Sequence, residues 1–127
     1  LLFLNGLGLL LYHIKEVELH AQTEDALTRE IAHKYGSDYP IPELADGTEV
    51  DLLSKDYAFE VDFLNKWYEA IGQSQHYAKV LKMDPAIILL VSLPVSKREA
   101  EKIADAAYIC GKNNIRLYLE FYEPNKP

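Results

Sequence analysis

Apolar and polar positions alternate along this chain with two different periods, and the changes of period mark its elements. From Glu24 the residues Leu27, Thr28, Ile31 and Tyr35 fall on one stripe at helical spacing, with Thr23 as N-cap and Gly36 as stop, which predicts a helix over 24–35. Asp38 to Leu44 carries two prolines and reads as an edge strand or a loop. Asp46-Gly47 is a hairpin signal, followed by a strand from Thr48 to Leu53, a turn at Ser54-Lys55-Asp56 and a strand from Tyr57 to Phe63. A helix is expected from Lys66 to about Lys82, closed by Asp84-Pro85. Within it, Gly72 predicts a close approach of backbone to the sheet. Ala86 to Leu93 is a continuous apolar run, as in a strand buried on both faces. Pro94 and Ser96 then open an amphipathic helix to about Cys110, with Gly111 as its stop, and Ile115 to Tyr122 is a last strand. The order α-β-β-β-α-β-α-β implies an α/β domain with a mixed sheet and helices on both faces.

Composition changes this picture little. Hydrophobic residues make up 49% and charged residues 26%, an ordinary globular balance that excludes a disordered chain. The length suits one domain, here residues 22–127, with residues 1–21 set apart as an apolar N-terminal segment. Leu1 to Tyr12 is too short to span a bilayer, which takes about 20 apolar residues. It reads either as a signal-peptide core with a cleavage site near Leu19-His20-Ala21, or as a buried strand or helix extension. Export or membrane association of residues 1–12 follows from the first reading and a cytoplasmic location, the favoured one, from the second. The single cysteine, Cys110, excludes an intrachain disulfide and a cysteine zinc site, and its apolar helical setting reads as packing. His13, His20, His33 and His76 lack metal-ligand spacing. A net charge of −7 argues against a nonspecific nucleic-acid binder, although an acidic metal site is itself negative until its cation binds.

The residues with chemical potential cluster after the hairpin. In Phe59-Glu60-Val61-Asp62-Phe63 the two acids share one face of a strand and the apolar residues the other. Asp51, on the preceding strand, can face the same point. Paired carboxylates in mid-strand are costly unless a cation compensates them, and three converging acids make an oxygen-rich site suited to Mg²⁺ or Mn²⁺. The plain alternative is a polar sheet face meeting water. Lys66, Gln73 and Tyr77 lie within about 40° of one another on the next helix. A lysine at a helix N-terminus opposes the dipole, and neighbouring carboxylates would explain it. Glu24 lies on the inward stripe of the first helix, with Glu30 as its rival. Lys97, Arg98 and Lys102 begin the last helix and read as an ion-paired, solvated face.

A hairpin Asp, a Glu on the next strand and a helix with Gln-x-x-x-Tyr together resemble the PD-(D/E)XK nucleases, in the branch with a RecB-type motif. The resemblance covers residues 24–93 in motif and implies a restriction-endonuclease-like αβββαβ core. It implies that Asp51 and Glu60 are the metal-binding acids, with Glu24 and Asp62 as further candidate ligands. It implies catalytic work by Asp51, Glu60, Lys66 and Gln73, and substrate binding by Gln73 and Tyr77. The expected activity is Mg²⁺- or Mn²⁺-dependent phosphodiester hydrolysis of DNA or RNA, with nucleic acid as partner and no organic cofactor. One position departs, because Asp62 stands where the family has its lysine, and Lys66 is the candidate for a migrated one. The departure keeps open a second expectation, a nuclease-fold module that binds nucleic acid or a protein without cleaving.

Overall fold

The computed structural model describes residues 2–5, 8–10, 23–37, 47 and 49–124. The expectations for the cleavage site near Leu19, for His13 and His20, and for Asp38 to Leu44 lie outside these residues. The elements are β1 (Leu2–Asn5), β2 (Gly8–Leu10), α1 (Glu24–Ile31), β3 (Leu52–Leu53), β4 (Tyr57–Phe63), α2 (Trp67–Leu81), β5 (Asp84–Ser92), α3 (Lys97–Lys112) and β6 (Arg116–Tyr122). Short 3-10 turns follow α1 at Ala32–Tyr35 and precede α2 at Leu64–Lys66.

The fold is α/β. β4, β5 and β6 run parallel, β3 pairs antiparallel with β4, and the β1–β2 hairpin joins antiparallel beside β6. The sheet order is β2-β1-β6-β5-β4-β3. Two successive crossovers step the chain one strand in the same direction, so α2 and α3 share a face. There Trp67, Ala70, Ile103 and Ala106 pack on Ile87, Leu89, Leu117 and Leu119. α1 covers the opposite face, where Leu27 and Ile31 pack on Phe59, Val61, Ile88 and Leu90. The apolar run of β5 is buried on both sides because it serves both cores. Among the described residues no helix is long and apolar enough to cross a membrane.

Several local expectations are corrected. Among the described residues of the strand foreseen from Thr48 to Leu53, only Leu52–Leu53 form a ladder, and Asp51 lies in a bend. The cause is a side chain: Asp51 Oδ2 accepts from the Val61 backbone N–H at 2.8 Å, taking a donor that a longer ladder would use. α2 ends at Lys82 in the left-handed conformation (φ 55°), and Asp84-Pro85 begins β5 instead of only closing the helix. Ser96 and Glu99 form a capping box that starts α3, and Gly111 is helical, not a stop, since Asn113 caps the end and the left-handed turn falls at Asn114 (φ 55°). Lys66 closes the 3-10 turn one residue before α2.

Glu120 alternates with Leu119 and Phe121 and so falls on the polar side of the β6 pattern, yet it is 2% exposed. Lys34 Nζ donates to its Oε1 at 2.7 Å and Tyr35 Oη to its Oε2 at 2.6 Å. The Tyr35 ring meets Phe59 and Tyr118 edge-on at 5.4 and 5.2 Å, so this clamp fixes the end of α1 to the sheet. Replacing Glu120 with Ala strands a tyrosine hydroxyl and a lysine, and urea unfolding is expected to show a loss of about 2 kcal/mol or more.

Gly72 is corrected as well. A Cβ built there meets nothing within 4 Å, so the glycine reflects no close approach to the sheet. Gly72→Ala is therefore expected to raise stability by about 0.5–1 kcal/mol, read as a higher denaturation midpoint at unchanged m.

Candidate metal centre

Period-two alternation on β4 sends Phe59 and Val61 to the α1 core and turns Glu60 and Asp62 to the other face. Both acids are buried there, at 3% and 4% exposure. A polar sheet face meeting water would leave them open, so that simpler alternative fails. Asp51 is drawn against β4 by its bond to Val61 N–H, and Asp62 Oδ1 accepts from the Phe63 backbone N–H at 3.0 Å. Glu24, in the first turn of α1 and half-buried, reaches the same point, whereas Glu30 is exposed. The choice between the two glutamates falls to Glu24.

The four carboxyls form two pairs within hydrogen-bonding reach, Asp51 with Glu60 and Glu24 with Asp62. Burial is the main cause that pushes Glu60 up to about 9, followed by the charge and hydrogen bond of Asp51. Burial likewise raises Glu24 to about 7, with Asp62 and Asp51 adding repulsion and Lys66 opposing it. Asp51 and Asp62 are also raised, first by burial, and each is partly offset by the backbone N–H it accepts from. All four are raised, and the two carboxyls of each pair stand close enough to share a proton.

α2 supplies the polar partners. With its amide turned to suit both neighbours, Gln73 Nε2 donates to Glu60 Oε1 at 2.8 Å and Oε2 at 3.2 Å. The Tyr77 hydroxyl also donates to Glu60, and burial together with that negative charge raises its pKa. Lys66 is exposed, and its charge favours ionisation of Glu24 and Asp62, yet it makes no ion pair among the described residues. Asp51, Glu60, Asp62, Glu24, Gln73 and Tyr77 are thus brought together, with Lys66 at the rim. His76 is exposed beside Tyr77, and Lys97 and Arg98 are exposed on α3.

Two acids escaped the sequence reading. Glu49 repels Asp51, and Glu69 repels Asp62. Their signals were available, since Glu49 shares Asp51's parity in sequence and Glu69 follows Lys66 by one helical turn.

Among the described residues, no group of three or more His, Cys, Asp or Glu side chains stands in position to hold a metal ion. Repulsion links all four acids, but their oxygens meet in pairs and not at one point. Their chemistry nonetheless fits a hard divalent cation, because buried carboxylate oxygens offset by a single rim lysine favour positive charge. No protein-family model matches the chain, and it matches no curated protein and no solved structure.

The raised carboxyls set a pH dependence. Unfolded glutamates ionise near 4.5, whereas folded Glu24 keeps its proton to about 7 and Glu60 to about 9. Between these values the folded state binds more protons, so stability falls as pH rises. In chelator the melting temperature is expected to drop by several degrees from pH 5 to pH 9. Glu60→Gln should flatten the upper part of that slope; an unchanged slope would contradict the assignment.

Proposed function

We propose that the protein is a divalent-metal-dependent nuclease on a restriction-endonuclease-like core, hydrolysing phosphodiester bonds of DNA or RNA. The observation that carries this reading is the crowding of Asp51, Glu60, Asp62 and Glu24, from three segments, at the edge of the sheet just ahead of the start of β3. Its support is the resemblance of Asp51, Glu60 and Gln73-x-x-x-Tyr77 to the PD-(D/E)XK nucleases, together with the element order α1-β3-β4-α2-β5.

In this reading Asp51 and Glu60 hold Mg²⁺ or Mn²⁺, with Asp62 and Glu24 as further ligands. The bound cation supplies Lewis acidity that lowers the pKa of water and offsets charge developing on the phosphate. Gln73 and Tyr77 orient the Glu60 carboxylate by donating to it, and the exposed face of Gln73 borders the path of the substrate strand. Lys66 takes the part of the family's lysine, whose place Asp62 occupies. Its free ammonium at the rim is able to meet a phosphate oxygen or hold the attacking water.

Asp62 in the lysine's place, and the absence of a ready ligand group of three among the described residues, favour a second reading, a nuclease-fold module that binds without cleaving. Titration calorimetry with Mn²⁺ and a cleavage assay on labelled single- and double-stranded DNA and RNA separate the two. The nuclease reading expects heat at millimolar metal and cleavage that falls about 10²-fold or more in both Glu60→Gln and Lys66→Ala. Lys66→Ala should keep its metal heat, and both variants should keep the wild-type circular dichroism. Cleavage unaffected by Glu60→Gln would sink the assignment, and neither heat nor cleavage would establish the inert module.

A further inference from the structure

On the outer side of α2 and α3, away from the acidic cluster, lies a groove of about 390 Å³ lined by Trp67, Tyr68, Ile71, Asp105, Tyr108 and Ile109. Tyr68 is 73% exposed and stacks on Trp67 at 3.9 Å, and Tyr108 is 57% exposed across from it. The exposed large hydrophobic residues among those described are Tyr68, Val95 and Tyr108, so two of the three stand on this one groove. Tyrosine and tryptophan are the residues that interface cores gather, and a scattered surface would not stack them.

The charges say what covers the groove. Asp105 makes no hydrogen bond or ion pair among the described residues, and Lys112 meets only the Tyr108 ring, with Nζ at 5.4 Å from its centroid. Both lie on the outward stripe of α3 with Tyr108, opposite the buried Ile103, Ala106 and Cys110. Seven residues separate Asp105 from Lys112, which is two helical turns or about 10.5 Å along the axis. The midpoint falls between Tyr108 and Ile109.

We infer that this face binds a second copy of the chain through an antiparallel, two-fold contact of α3 with α3. A two-fold axis between Tyr108 and Ile109 sets Asp105 of each copy opposite Lys112 of the other, so two ion pairs form at once. The same axis brings Tyr108 of each copy over Ile109 of the other, where it enters the aromatic groove. A surface whose acid and base are spaced symmetrically about an exposed aromatic is complementary to itself, and that self-complementarity selects a copy of this chain as the occupant.

Sedimentation equilibrium of the full chain over a range from micromolar to several hundred micromolar is expected to show mass rising towards twice 14.5 kDa. Asp105→Lys alone and Lys112→Asp alone each set like charges face to face and should weaken the dimer about tenfold or more. The double variant Asp105→Lys/Lys112→Asp should restore it. Asp105→Cys/Lys112→Cys should give a disulfide-linked dimer on oxidation, since within one helix the two positions lie beyond disulfide reach. A monomer throughout the range, a dimer indifferent to both single exchanges, or no recovery in the double exchange would each overturn the inference. Circular dichroism of each variant excludes unfolding as the cause.

Discussion

The Val61 N–H donating to Asp51 Oδ2 is the contact on which the architecture of the acidic edge depends. A continued β3 would satisfy that donor with a carbonyl and lay a strand along the rest of β4. The side chain takes the donor instead, so β3 begins only at Leu52 and Asp51 turns in towards Glu60. The uncovered end of β4 leaves room for Glu24, which arrives from the helix on the other face. One backbone donor is thus exchanged for a cluster of acids, and the cost of that exchange is the mutual repulsion of two buried and two half-buried carboxyls.

Two buried acidic features show how differently this fold treats such a cost. Glu120 is fully compensated: a lysine and a tyrosine bond its two oxygens, and three aromatic rings enclose the arrangement. It behaves as an anchor for α1. Among the described residues the edge cluster is compensated by two backbone donors, an amide, a phenol and an unpaired lysine at the rim. Its remaining charge is suppressed by protons shared within the pairs. The anchor and the cluster lie on elements joined by α1, whose end is clamped at Glu120 and whose first turn carries Glu24. The same helix therefore bears on both features.

Much of this was legible in the residues. Period-two alternation placed Glu60 and Asp62 on one face, and the helical stripe of α1 favoured Glu24 over Glu30, because burial follows periodicity wherever two apolar faces must be covered. What the sequence hid were choices made by tertiary contacts. Asp51 ending its own strand is a competition between a side chain and a carbonyl for one N–H, which no propensity encodes. Glu120 reads as polar by alternation, and only the packing of α1 reveals its partners. Gly72 carried a false signal, since a helix tolerates an exposed glycine without any neighbour needing the space. Gly111 misled too, since it stays helical and the left-handed turn expected of a stop glycine falls at Asn114.

The relation between Asp62 and Lys66 is where fold and chemistry meet. A lysine at position 62 would point into the buried face between the two acid pairs and neutralise them directly, lowering the need for any other cation. Asp62 does the reverse and adds a fourth negative group, bonded to Glu24 and held by the Phe63 N–H. The positive charge is displaced to Lys66, where the 3-10 turn before α2 leaves it exposed. Such a site leaves more negative charge for external cations to offset than one with an internal lysine. It also keeps an exposed ammonium outside the acids. In the proposed nuclease reading, Asp62 in the lysine's place would therefore strengthen the demand for metal while loosening the geometry that a fixed lysine would impose.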